Sequence, residues 1–152
     1  SYVHASVGED MGRIAVLVGL ESSAAAAGLA DIGRKVAMHV AASSPVALES
    51  SAIDPAVLER EKNVLAEKNA GKPPQVMEKI IESGLKTYFK EVCLLEQAFI
   101  HDTSKSVSQA VAEVGKAAGA DIKITGFVRY QVGEGIEKAE SDFAAEVAGM
   151  AG

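Results

Sequence analysis

Apolar and polar positions along the chain change period several times, and each change marks an element. Residues 13–20, Arg-Ile-Ala-Val-Leu-Val-Gly-Leu, form a short β-branched run that is apolar on both alternating faces, which suits a strand covered on both sides. Leu29, Ile32, Gly33, Val36, Ala37, Val40 and Ala41 then fall at helical spacing, with Asp31, Arg34 and Lys35 outside the stripe. Ser43-Ser44-Pro45 ends this helix, because the residue before proline avoids the helical region. Asp54-Pro55 starts another, with aspartate as N-cap and proline at the first helical position. Val57, Leu58, Val64 and Leu65 repeat every seven residues, a narrow stripe that suits one slender partner. Asn69-Ala70-Gly71-Lys72 breaks it and Pro73-Pro74 restarts the chain. A second stripe follows: Val76, Met77, Ile80, Ile81, Leu85, Tyr88, Phe89 and Val92. Two antiparallel helices joined by a tight turn account for both stripes, and the first has no apolar surface to spare, so the pair is expected to project.

Ser104 is placed to cap a further helix with the stripe Val107, Ala110, Val111, Val114, Ala117 and Ala118, stopped at Gly119. From 122 to 132 the period becomes two. Ile122, Ile124, Val128, Tyr130 and Val132 share one face, and Lys123, Thr125, Arg129 and Gln131 the other, with Phe127 as an apolar exception. Gly133-Glu134-Gly135 is a turn, and Ser141 is placed to cap a last short helix bearing Phe143, Val147 and Met150. Two strands alone do not make a stable sheet, so either residues 92–100 hide a third or more chain supplies it. The expected fold is α+β: a small antiparallel sheet packed with helices (1–53 and 94–133), an inserted helical hairpin (54–93) and a C-terminal module (134–152).

Composition narrows the class. The 152 residues are 48% hydrophobic and 24% charged, an ordinary globular balance. A chain of this size buries roughly 68–70% of its unfolded surface and needs no staple. Aromatic content is only 5%, with no tryptophan, so helices are expected to pack closely on small side chains. A net charge of −6 argues against phosphate-backbone binding but leaves protein partners open. One cysteine, Cys93, excludes an internal disulfide and fits a reducing, cytoplasmic compartment. The apolar runs are far too short for a membrane span. The chain opens on Ser1-Tyr2 rather than methionine and reads as a fragment or processed product.

Candidate chemistry is thin. His4, His39 and His101 lack second ligands at metal spacing. His39 reads as a satisfied, partly buried side chain, His101 as a solvated turn residue, and His4 as an exposed residue of a flexible-looking segment before the first strand. No G-x-S-x-G elbow or phosphate-binding loop occurs. Cys93 lies among Val92, Leu94 and Leu95, so a buried structural thiol outweighs a hydrolase nucleophile. Glu134, Glu137, Glu140 and Asp142 are interleaved with Lys138 and read as a solvated face, not a cation site. No cofactor or metal is expected.

Four segments, in order and at matching spacing, resemble the bacterial elongation factor Ts family. They are Ser1-Tyr2-Val3-His4, Gly12-Arg13-Ile14-Ala15-Val16-Leu17-Val18, Ala37-Met38-His39-Val40-Ala41-Ala42-Ser43 and the tail from Val132 to Val147, whose Gly-Glu-Gly-Ile-Glu-Lys run is the most specific. The resemblance covers essentially the whole chain. It implies the C-terminal half of a guanine nucleotide exchange factor that binds elongation factor Tu and promotes GDP release without covalent chemistry. It implies Tyr2 and His4 as partner contacts, His4 against the partner's third domain. Phe143, Val147 and Met150 are implied to dock on its nucleotide-binding domain. The hairpin is implied to be a coiled coil. The family's Thr-Asp-Phe-Val motif is missing, since the only Asp-Phe pair is Asp142-Phe143 in the tail. The resemblance therefore implies a fragment that binds the partner but by itself exchanges nucleotide weakly or not at all. The alternative is a self-association module that builds a homodimer.

Overall fold

The computed structural model describes residues 1–8, 11–23 and 26–135. Five strands and four α-helices follow one another among them: β1 (Tyr2–Gly8), β2 (Met11–Ser22), α1 (Ala26–Ser43), α2 (Pro55–Lys68), α3 (Pro74–Val92), β3 (Ala98–Phe99), β4 (Asp102–Ser106), α4 (Val107–Ala118) and β5 (Ile122–Gln131). β2 is the centre of an antiparallel sheet with β1 and β5 at its edges, and β3 pairs with β4 in a separate hairpin. The fold is α+β. The expected C-terminal helix, with Phe143, Val147 and Met150, lies outside the described residues.

One face of the sheet carries the core. Val16 of β2 and Ile124 of β5 are buried with Ile32, Val36, Ala37, Val40 and Ala41 of α1, with Val107, Ala110 and Val111 of α4, and with Leu94 and Phe99. Ile14, Val18, Leu20 and Phe127 pack around this cluster. Full burial of such side chains contributes about 1.5–3 kcal/mol each, so the α1 stripe alone is a major stabilising element. The opposite sheet face is open, and here β2 departs from expectation. The strand is not covered on both sides: Leu17, between buried Val16 and half-buried Val18, is 61% exposed.

The alternation expected of β5 is also wrong for half its length. Gly19 pairs with Gly126, but the next residue, Leu20, pairs with Ile124, leaving Thr125 as an extra residue. Such a bulge flips every later side chain to the other face. Ile122 and Ile124 face the core, and beyond the bulge so do Phe127 and Arg129, which pair with Val18 and Val16. Val128, Tyr130 and Val132 turn outward. Phe127 was the apolar exception of the simple pattern; the bulge is the reason. Gly19 admits it, because a Cβ there would sit 2.5 Å from the Thr125 hydroxyl.

Three further expectations are corrected or sharpened. The segment holding His4 is not flexible chain ahead of the sheet but its third strand, β1, paired from Tyr2–Val16 to Gly8–Met11. A strand does hide in 92–100, but among the described residues β3 pairs with β4 and not with the three-stranded sheet. The cap of α4 is Ser106, not Ser104: the Ser106 hydroxyl accepts the Gln109 amide at 3.2 Å and the Gln109 side chain accepts the Ser106 amide at 2.9 Å. Ser104 instead donates its hydroxyl to Asp102 at 2.6 Å within β4.

The helical hairpin forms as expected. Asp54 caps α2, accepting the Ala56 amide at 2.8 Å. No residue of α2 or α3 is fully buried. At the base, Ala47, Ile53 and Cys93 make a second small cluster with Val57, Leu58, Tyr88, Phe89 and Val92. Exposed pairs such as Lys62–Glu59 and Lys86–Glu82 decorate the outside and contribute little each.

Candidate functional site

β1 places Tyr2 and His4 on the same side of the sheet, the side facing α1, because they pair with Val16 and Ile14 two residues apart. The Tyr2 hydroxyl and His4 Nδ1 are 2.9 Å apart, and the rings lie 5.9 Å centre to centre. Tyrosine is half-buried and histidine exposed. The hydrogen bond orients the imidazole and leaves Nε2 as the nitrogen with no partner within the described residues. Next to the ring is a hollow of about 210 Å³ lined by Tyr2, His4, Ile14, Met38, Ala42 and Ile100. Its walls are mostly apolar, and its volume suits one large side chain. The adjoining Ala5 has φ of 51°, the left-handed region, so the strand kinks immediately after His4.

Tyr2 and His4, expected as partner contacts, thus lie side by side on β1. Phe143, Val147 and Met150 lie outside the described residues. Met38 and Ile100 were missed. Met38 sits just off the α1 stripe, and Ile100 is an apolar residue at a turn between β3 and β4, 40% exposed. An apolar residue in a two-strand turn was the available signal, visible only once that turn was known.

His39 is fully buried. Its Nε2 donates to Gln97 Oε1 at 2.9 Å, and its Nδ1 accepts the Ile100 amide at 3.2 Å. Burial pushes its pKa below the ordinary value; the Gln97 bond opposes this and the nearby His101 reinforces it. The expected satisfied histidine is present, more deeply buried than its position beside the stripe suggested. His101 is exposed and packs edge-on against Phe99 at 5.1 Å. Cys93 is completely buried, and desolvation, then Glu96 and Glu49, push its thiol pKa up, away from a reactive thiolate. Among the described residues no three His, Cys, Asp or Glu side chains are grouped as metal ligands. No helix among them is long and apolar enough to cross a membrane.

The open sheet face is the other exposed feature. Leu17, Val128, Tyr130 and Val132 are 61%, 43%, 71% and 76% exposed. Leu17 pairs with Val128, and Tyr130 with Ala15, so these side chains form one continuous surface.

Known proteins resemble this chain along nearly its whole length. The family profile described as Elongation factor TS matches residues 1–134. Elongation factor Ts of Bradyrhizobium diazoefficiens is 62% identical over 99% of this chain and 50% of its own length. Those of Methylorubrum populi and Methylocella silvestris are each 60% identical over 99% of this chain and 49% of their own length. The chain therefore spans about half the length of these relatives.

Proposed function

Because this chain belongs to the elongation factor Ts family, we propose that it binds elongation factor Tu and acts in the cytoplasm as part of a guanine nucleotide exchange factor. The observation that carries the reading is the Tyr2–His4 pair: an exposed imidazole oriented by a tyrosine hydroxyl beside an apolar hollow. That is the layout of a contact that grips one side chain and one polar group of a protein partner. Tyr2 and His4 supply it from β1. Phe143, Val147 and Met150 form a second contact, and the hairpin of residues 54–93 a third, each a separate part of the chain.

Exchange by such a protein is differential binding. The nucleotide-poor partner is gripped more tightly than its GDP-bound form, and by linkage GDP is held less tightly once the factor is bound. No bond in the partner or nucleotide is broken, so no catalytic residue or cofactor is required. The Thr-Asp-Phe-Val motif is absent from this chain, so it binds the partner but releases GDP slowly. The test is a titration against elongation factor Tu loaded with fluorescent GDP. A 1:1 complex with weak GDP release is expected. Absence of any complex overturns the binding reading, and full-rate release overturns the view that this chain lacks the exchange element.

The second reading is a homodimer. It is favoured by the apolar sheet face, since isolated soluble proteins rarely expose broad contiguous apolar patches. Sedimentation with and without elongation factor Tu separates the two: a dimer indifferent to added partner supports self-association alone.

A further inference from the structure

Gln97 is one of two buried polar side chains among the described residues, and it is bonded at both ends of its amide. Its Oε1 accepts from His39 Nε2 at 2.9 Å, and its Nε2 donates to the Glu91 carbonyl at 2.8 Å. Its own carbonyl accepts the Val107 amide at 3.0 Å, and its amide donates to the Cys93 carbonyl at 3.0 Å. Oε1 and Nε2 each have a partner, which fixes the Gln97 amide orientation and the His39 tautomer together. The side chain of Gln97 therefore joins α1 to the last turn of α3. His39 extends the connection to the Ile100 amide, at the hollow beside His4.

An apolar pair of similar volume would fill the same space at little cost in stability, because replacing both partners of a buried hydrogen bond is close to neutral. What such a pair would lose is geometry. The last carbonyls of α3 lack intrahelical partners. That of Val92 is taken by the Val46 and Ala47 amides at 2.9 and 3.4 Å. That of Glu91 is taken by Gln97, while the Leu95 amide, which would continue the helix, goes to Leu48 at 3.1 Å. Two adjacent carbonyls are thus tied to two different parts of the core. One tie leaves a pivot; two fix a direction. With no fully buried residue along α2 or α3, the direction of the hairpin is set at its base.

We propose that His39 and Gln97 are a positioning pair that fixes the helical hairpin against the core and, through the Ile100 amide, holds the hollow beside His4 in register with it. The functional consequence rests on the reading of the hollow and hairpin as contacts for elongation factor Tu; the mechanical part does not.

The test uses the full chain spin-labelled through Lys72→Cys at the hairpin turn and Lys123→Cys on β5, both exposed positions. Cys93, fully buried, stays unlabelled. Pulsed electron resonance should give one narrow distance distribution for the otherwise unchanged chain. Gln97→Met keeps the volume and removes the bonds, and should broaden it. His39→Asn leaves an oxygen near the Nδ1 position but withdraws the donor to Gln97, and should broaden it too. His39→Gln extends an amide to the Nε2 position, keeps that donor, and should restore the narrow distribution. Thermal melts establish that each variant is folded, and His39→Asn against His39→Gln decides the matter alone if Gln97→Met does not fold. A purely structural role predicts lowered melting temperatures with unchanged distances, and that result overturns the proposal. Equal broadening in His39→Asn and His39→Gln also overturns it. Affinity for elongation factor Tu should fall in the variants with broadened distances; unchanged affinity in a broadened variant overturns the functional half. Because no partner enters the distance measurement, its failure leaves the binding reading intact, and the reverse holds.

Discussion

Two histidines in this chain do opposite things because their surroundings differ. His4 is exposed at a strand edge and oriented by one hydrogen bond. His39 is sealed in the core and bonded at both nitrogens. If His4 is desolvated in a complex with elongation factor Tu, His4→Ala should weaken binding by about 1–3 kcal/mol, measured by titration calorimetry. Unchanged affinity would return His4 to an ordinary surface residue. For His39 the expected effect is on folding. Its pKa is lowered in the folded state, so the unfolded chain takes up a proton near the ordinary value of 6.5 while the folded chain resists. The unfolded state binds more protons, so stability rises with pH in that window. The contribution of the neutral ring is fully present above about pH 6.5 and is lost as pH falls towards the lowered folded value. Urea unfolding from pH 7.5 to 5 should therefore show a decline that His39→Gln flattens. Parallel pH profiles for the two proteins would refute it.

At the scale of elements, β1 is held against β2 by unusually close backbone approach. A Cβ built on Gly12 would lie 2.6 Å from the His4 carbonyl oxygen and 2.5 Å from a Val3 methyl. The first contact is with backbone and cannot be relieved by turning a side chain. Gly12→Ala should push β1 outward and destabilise the protein by about 1–3 kcal/mol, read from urea unfolding. It should also weaken partner binding through displacement of His4, although residue 12 lies outside the hollow. A stability change within about 0.5 kcal/mol would mean that β1 shifts without strain. The hairpin behaves differently. Its helices follow from capping and narrow apolar stripes along their own sequence, and only its attachment at the base depends on residues outside it, such as Ala47 and Gln97.

For the whole molecule the open question of surface is the sheet face away from α1 and α4. Leu17 and Val128 pair across β2 and β5 at its centre. If this face builds a homodimer, Leu17→Glu should abolish it by burying an unpaired carboxylate, with sedimentation reading the change. The monomer fold should change by no more than about 0.5 kcal/mol, since Leu17 is exposed. A dimer that survives Leu17→Glu does not use this face.

The sequence by itself determined the elements whose signals are local. The α1 stripe, the Asp54-Pro55 start, the break at 69–72 and the stop at Gly119 all reappear, because helix periodicity and capping are written within a few residues. It also carried the family through its ordered segments. The tertiary structure alone decided what depends on distant partners. Whether β2 has one covered face or two depends on what packs against it, not on its own apolar run. The faces of Phe127 and Tyr130 depend on a bulge opposite Gly19, more than a hundred residues away in sequence. The hollow beside His4 exists only where β1, α1 and the β3–β4 turn meet. Local order is encoded by near neighbours; strand facing, surface shape and buried polar relays are set by long-range pairing, which no short window of sequence contains.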